Sequence, residues 1–523
     1  MSINNPWPPS GTPKSIALSG APHKASLAVW SLVLSVFTLA AFHVPFFRHM
    51  LSCLDGGPNA VLLVGGAILL LLALDYLLYY LLAFLLRLVG KCIIAFTLFG
   101  DAVMLYFVRN YEVLVTDDMM GNFFRTQYSE ASGFMSISFV LYILLLCVLP
   151  CIYVFGRKVD YGSWKKFFAS IGISLVLVAG VAFGNMKNWP WIDRNATELG
   201  SLLMPWSYTV NSFRYWSAEK KRNAREIPLA DPTAVSSSRD VCVLVIGESA
   251  RRDHFSLYGY GRETNPYTAQ DGVTAYVAES SATFTAAGVK AILEPMDTPQ
   301  LYEILPNYLH RIGADVSWRT SNWGEPPVHI DKYYTIGQLA ERYPGENPDY
   351  DGLLLAGLAE EIRASDKDKV FVFLHTNTNH GPAYNTKYPP QFEVFTPVCA
   401  TVEMAKTSQE ELFNAYDNSL IYTDYLLHMV IGMLRDMPER RSCLIYVSDH
   451  GESLGENNLY MHGVPMSMAP KEQIEIPFLV WTSDSALKLK KLPAVGQHHV
   501  FHSVLRFLGV ETPAFDASKS IFE

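Results

Sequence analysis

The chain has 523 residues, half of them hydrophobic, with 41 Lys and Arg against 50 Asp and Glu. That length exceeds one ordinary domain, so at least two are expected. The net charge of −9, with no block of basic residues, excludes the electrostatic footprint of a nucleic-acid binder.

Most of the hydrophobic content lies before residue 185, after a tail of residues 1–25. Five segments there come near the roughly 20 apolar residues a bilayer requires: Leu27–Phe47, Asn59–Leu86, Cys92–Val108, Phe134–Phe155 and Phe167–Phe183. The third is the shortest. The tail lacks the pattern of a cleaved signal peptide, so the first span is expected to stay as an anchor. Basic residues gather at one set of span ends, including Lys24, Arg87, Lys91, Arg157, Lys158, Lys165 and Lys166. The other set has only Arg48, Arg109 and Arg125. This bias places the amino terminus inside, and five spans then export everything after residue 184. The domain plan is thus a five-span membrane region over 26–184, a connecting stretch over 185–237 and an exported domain over 238–523. Asp75, inside the second span, is read as a structural group facing the bundle.

The connecting stretch carries Trp189, Trp191, Trp206 and Trp216, rings that suit either the headgroup layer or a packing layer against the soluble domain. "ADPTAVSSSRD" (Ala230 to Asp240) reads as a linker. From Val241 onward, short apolar runs alternate with helical stretches, the signature of a sheet flanked by helices. Three runs end in chemistry. "VCVLVI" is followed by Gly247-Glu248-Ser249, "VFVFLH" by "TNTNHGPAY" with His380, and "CLIYV" by "SDHGE" with Asp449 and His450. In α/β sheets ligands bind beyond the carboxyl ends of strands. Of the seven cysteines only Cys242, Cys399 and Cys443 lie in the exported domain, and no disulfide framework is evident.

Two carboxylates and an imidazole, Glu248, Asp449 and His450, form a donor set suited to zinc with one position open. Water there would make a hydrolase; a side-chain hydroxyl would make a covalent intermediate and allow group transfer. "ESSATFTAAGVKAIL" (Glu279 to Leu293) offers a hydroxyl cluster opening an apolar, helical run, where the amino terminus would favour an anionic phosphate. The residues alone do not choose among Ser280, Ser281, Thr283 and Thr285, and the plain reading of any one of them is a helix cap.

Longer motifs complete the picture: "VIGESARRDHFSLYGYGRETNP", "NHGPAYNTKYPPQFEVFTPVC", "VSDHGESLGE" and "YMHGVPMSMAPKEQIEIPF". With them the chain resembles, over nearly its full length, the phosphoethanolamine transferases of lipid A and lipopolysaccharide, within the alkaline phosphatase and sulfatase superfamily. The resemblance implies a multi-span helical membrane domain plus an exported α/β domain with an alkaline-phosphatase-like sheet. It implies a bacterial inner-membrane enzyme with its catalytic domain in the periplasm. Phosphatidylethanolamine would be the donor, and lipid A or another lipopolysaccharide sugar the acceptor. It picks Thr283, first threonine of Thr283-Phe284-Thr285-Ala286, as nucleophile and places zinc on Glu248, Thr283, Asp449 and His450, with a second ion possible. His380 and His462 would serve the phosphoryl group, and Asn122, Thr126 and Glu130 would hold the ethanolamine head on one helical face. The chain departs from the family at Ser281-Ala282, at Gly288-Val289-Lys290-Ala291 and in its missing disulfide cysteines.

Three alternatives keep the same fold. A phosphoglycerol transferase of the lipoteichoic-acid-synthase type fits "NHGPAY" and the Asn122 set less well. A sulfatase would need a Cys/Ser-x-Pro-x-Arg motif that is absent around residue 283. An inactive scaffold or sensor has no need of so complete a ligand set.

Overall fold

The computed structural model describes residues 24–54, 59–126, 134–222 and 226–523. The chain divides into two compact units, one running to Ala102 and resuming over Ile143–Arg194, the other formed by Val103–Tyr142 and Asn195–Glu523. Among the described residues, four helices are long and apolar enough to cross a membrane: Ala60–Leu86, Leu88–Tyr111, Ile137–Gly156 and Trp164–Gly184. Leu27–Phe42 and Val44–Ser52 make a fifth if they count as one span, bent by 56°. The bend falls at His43, two residues before Pro45, which has no N–H to continue the ladder back to Ala41. The third span, expected to be the shortest, is a 24-residue helix.

In the first unit, Leu27–Phe42 packs on Ala60–Leu86, which also packs on Trp164–Gly184. Asp75 is buried there, and the Thr38 and Tyr79 hydroxyls meet at 2.7 Å. Leu145, Ile173 and Val176 point outward. Such dense outward apolar surface suits lipid, where helices satisfy their own backbone polar groups. The tryptophans of the connecting stretch divide: Trp191 is buried and donates to the Cys53 carbonyl, whereas Trp189 and Trp216 are exposed.

The second unit is built on an eight-stranded mixed sheet. From edge to edge it runs Val495–Gly496, Thr274–Glu279, Glu475–Thr482, Arg441–Ser448, Asp240–Gly247, Lys369–His375, Asp315–Thr320 and Lys332–Thr335. Asp240–Gly247 lies at the centre, parallel to both neighbours, while Glu475–Thr482 runs antiparallel to both of its own. Every residue of Asp240–Gly247 is buried, as the unbroken apolar run predicts for a strand covered on both faces. One core layer holds Leu244, Ile246, Ile292, Val504 and Phe507; the other holds Val243, Val245, Leu427 and Val430 of helix Gln409–Arg435. All seven cysteines are free thiols, and Cys242 faces Cys443 across adjacent strands.

Candidate active site

The register of the three central parallel strands builds the site. Gly247 is level with Ser448, and Ile246 with His375, so Glu248, Asp449 and Thr376 leave the sheet side by side. Glu248, Asp449 and His450 are fully buried, and one ligand atom from each lies within 4.8 Å of the others. The His450 ring is oriented by its own backbone. Its Nδ1 lies 2.8 Å from the Gly451 carbonyl, which makes that nitrogen the donor and leaves Nε2 to face the cluster. Nε2 is then 3.4 Å from Glu248 Oε1, 3.4 Å from Asp449 Oδ2 and 3.4 Å from Thr285 Oγ1.

Ser249 organises the carboxylates from a left-handed backbone conformation, with φ of 49°. A non-glycine residue held there signals a turn fixed by its surroundings. Its N–H donates to Asp449 Oδ1 at 3.0 Å and its hydroxyl to Glu248 Oε1 at 2.6 Å. The other Glu248 oxygen accepts from Asn322 Nδ2 at 2.6 Å. Gln497 Nε2 donates to the carbonyls of Ser448 and Asp449, at 3.0 and 2.6 Å.

Two more histidines complete the cluster. His380 Nδ1 lies 2.7 Å from the Gly381 carbonyl, and His462 Nδ1 lies 2.8 Å from Glu452 Oε2, a carboxylate–histidine pairing common behind metal ligands. Glu248, His380 and His462 form a second triple with ligand atoms within 4.8 Å of one another, and His450, Glu452 and His462 a third. Tyr384 donates to the remaining Glu452 oxygen.

The electrostatics of this set favour a cation. Burial, then the neighbouring Glu248 carboxylate, push Asp449 well above the ordinary carboxylate range. Burial, then His462, lower His450 to about 3 against the pull of Glu248. Asp449 Oδ2 is buried and accepts no hydrogen bond among the described residues. A dry cluster of two carboxylates and an imidazole, with one lone oxygen aimed into it, fits a divalent metal of the zinc type. Glu248, Asp449 and His450 are the residues that could hold it.

The helix Thr285–Leu293 brings the hydroxyl. Thr285 opens it, with Oγ1 3.3 Å from Glu248 Oε2 in addition to the His450 contact. Thr283, the nucleophile and ligand implied by the resemblance, is placed elsewhere. Its hydroxyl donates to the Val464 carbonyl at 2.6 Å, and its own carbonyl accepts from the Gly463 N–H at 2.8 Å. Thr283 thus clasps the loop after His462, while the next-but-one residue turns into the cluster. Of the two hydroxyls, that of Thr285 is the one beside Glu248 and His450 in this structure. Gly288, at one departure from the family pattern, stands where a Cβ would lie 2.2 Å from the Asp449 carbonyl oxygen. Lys290, at another departure, pairs with Glu294.

Glu248, Asp449, His450, His380 and His462 are therefore gathered as the sequence suggested. Asn122 belongs to helix Asp117–Arg125, but its side chain and the whole of Glu130 lie outside the described residues, and Thr126 stands just beyond that helix. Asn322, Glu452, Gln497 and Tyr384 were not singled out from sequence. Asn322 follows the run ending in Thr320, a strand-end signal that a carboxamide does not advertise. Glu452 lies inside the quoted "SDHGE", two residues past His450.

Comparison with known proteins agrees with this geometry. The sulfatase family model matches residues 240–510, and the model described as phosphoethanolamine transferase EptA/EptB matches 71–219. The phosphoethanolamine transferase EptA of Helicobacter pylori is 36% identical over 427 residues, covering 79% of this chain and 81% of that protein. The phosphatidylethanolamine transferase Mcr-1 of Escherichia coli is 31% identical over 501 residues, covering 88% and 91%. The integral membrane lipooligosaccharide phosphoethanolamine transferase A of Neisseria meningitidis superposes with a TM-score of 0.86 at 25% identity, covering 96% of this chain and 99% of that one. On a buried strand-end cluster, a sulfatase-type sheet, membrane-length helices and relatives of this identity, the chain belongs to the phosphoethanolamine transferase family.

Proposed function

We propose that the protein transfers phosphoethanolamine from phosphatidylethanolamine to lipid A or another lipopolysaccharide sugar, with zinc at Glu248, Asp449 and His450 and Thr285 as the covalent carrier. The observation that carries this reading is the Thr285 hydroxyl, 3.3 Å from Glu248 and 3.4 Å from His450 at the mouth of the buried cluster. Support also comes from the names of relatives, which give phosphatidylethanolamine for Mcr-1 and lipooligosaccharide for the Neisseria enzyme.

In this reading Thr285 Oγ1 attacks the donor phosphorus, the bond to the diacylglycerol oxygen breaks, and that oxygen takes up a proton. An acceptor oxygen then attacks the same phosphorus and frees Thr285. Zinc would supply Lewis acidity, activating the hydroxyl and offsetting charge on the phosphoryl oxygens. The protein does the rest. Ser249 and Asn322 hold Glu248, Gln497 fixes the Asp449 backbone, and the first turn of Thr285–Leu293 presents its N–H end to the phosphate. His462, oriented by Glu452, and His380 steady the departing oxygen and relay its proton. A second zinc on His380 and His462 would be the alternative to that proton relay, since each ring has one nitrogen left to offer; an ethanolamine site formed by Asn122, Thr126 and Glu130 also belongs to the proposal. So does placement in a bacterial inner membrane with the second unit in the periplasm.

Mass spectrometry of lipopolysaccharide from cells with and without the protein tests the reaction. Phosphoethanolamine-bearing species should appear only with the protein, and their absence from an expressing, zinc-replete strain would contradict the reading.

A further inference from the structure

Beside the cluster, and built from different elements, the second unit has a cleft of about 490 Å³ at the carboxyl ends of Lys369–His375 and Asp315–Thr320. His380 is part of its wall and also of the triple with Glu248 and His462. A molecule in the cleft therefore has one edge against the reacting centre. Resting on the function proposed above, we propose that this cleft seats a sugar ring of the acceptor glycan.

Size speaks first. Ethanolamine is far too small to fill the space, which falls within the range of about 300–1,000 Å³ usual for small-molecule pockets. The lining is the second argument. Asp349, Asn377, Thr386 and Lys387 offer a carboxylate, a carboxamide, a hydroxyl and an ammonium. Sugar hydroxyls both donate and accept, so a wall mixing these groups suits them better than a uniform charge would. Ile336 and Pro382 supply an apolar strip for the C–H face of a ring.

Charge then decides against two rivals. A dedicated phosphate pocket would collect cations and N–H groups, yet here the Lys387 ammonium shares the lining with the Asp349 carboxylate. A dedicated ammonium pocket would turn its carboxylates toward the ligand. Asp351 instead is buried and accepts from the Ser321 hydroxyl at 2.5 Å, the Asn377 N–H at 2.8 Å and the Thr378 hydroxyl at 2.5 Å. Its carboxylate is committed to shaping the floor. Lys387 Nζ lies 3.5 Å from Asn377 Oδ1, so these two polar groups share one wall.

With the ring seated, the step is a displacement at phosphorus. An acceptor oxygen bonds to the phosphorus of phosphoethanolamine-bearing Thr285, the P–Oγ1 bond breaks, and the proton leaving the acceptor oxygen ends on Thr285. The cleft serves only this second half-reaction, which is where its test lies.

Full-length enzyme in lipid nanodiscs, loaded with zinc, would be tested as Thr386→Trp, which fills the cleft, and Lys387→Ala, which removes one polar contact. With phosphatidylethanolamine alone, both variants should form the enzyme adduct at the unsubstituted rate. With purified lipid A, and separately with lipopolysaccharide carrying core sugars, KM for the acceptor should rise about tenfold or more, the effect of losing one or two good polar contacts. A loss confined to one acceptor identifies whether a lipid A ring or a core sugar occupies the cleft. Unchanged acceptor kinetics in both variants, or an equal fall in both half-reactions, would overturn the proposal. Failure of the functional reading looks different: no adduct in the unsubstituted enzyme, which would take the subsite with it.

Discussion

Gly288→Ala is the substitution whose outcome the geometry determines most sharply. Within a helix, Gly to Ala ordinarily stabilises by about 0.5–1 kcal/mol, because glycine loses more backbone freedom on folding. At Gly288 the new Cβ would lie 2.2 Å from the Asp449 carbonyl oxygen, against the 3.4 Å where ordinary contact begins. Both partners are backbone, one in the helix that carries Thr285 and one at the strand end that carries a proposed metal ligand. Neither can yield by a side-chain rotation, so helix and strand end must separate by about 1 Å. Overpacking of this kind costs about 1–3 kcal/mol, enough to cancel or exceed the helical gain. The larger effect is catalytic. A displacement of about 1 Å between reacting groups can cost about a hundredfold in rate. We expect Gly288→Ala to fold and to form the adduct from phosphatidylethanolamine about ten- to a hundredfold more slowly, measured by quenched-flow labelling with zinc present. Gly432→Ala, where nothing among the described residues lies within 4 Å of the new Cβ, is the control and should keep the full rate. A Gly288→Ala enzyme with unchanged rate and thermal stability would refute the claim that this contact sets the Thr285 position.

Asn322→Ala should weaken zinc binding by about 10–100-fold while the fold persists, since it removes the hydrogen bond that orients Glu248; chelator competition measures this. Zinc at a hundred times its dissociation constant should raise the stability of the protein by about 2.7 kcal/mol, and Asp449→Asn should abolish the response in thermal unfolding. Glu130→Ala should raise KM for phosphatidylethanolamine with metal content unchanged, because a carboxylate near an ammonium attracts strongly where water is partly excluded. Unaltered donor kinetics would refute that role.

Much of this could be read from the residues, for identifiable reasons. The membrane helices show themselves because a bilayer demands long uninterrupted apolar runs, although the break at His43 is foreshadowed only by Pro45. Glu248, Asp449 and His450 are legible because buried parallel strands are short apolar runs, and function gathers at their carboxyl ends. That Gly247 and Ser448 end level is a property of pairing register, which no single strand encodes. The choice between Thr283 and Thr285 is of the same kind. Two residues apart around a helix start, they face different ways, and only the Val464 carbonyl, 181 positions on, decides which hydroxyl is occupied structurally. Asn322 stayed hidden because a lone carboxamide after a strand looks like any loop residue, until its Nδ2 is found 2.6 Å from Glu248.

The central claim is that Thr285 carries phosphoethanolamine between donor and acceptor. Its direct test is peptide mapping by mass spectrometry after incubating the full-length, zinc-loaded enzyme with phosphatidylethanolamine and no acceptor. The account predicts the adduct on Thr285, its loss in Thr285→Ala, and its persistence on Thr285 in Thr283→Ala. An adduct on Thr283, Ser280 or Ser281, or transfer surviving in Thr285→Ala, would contradict it.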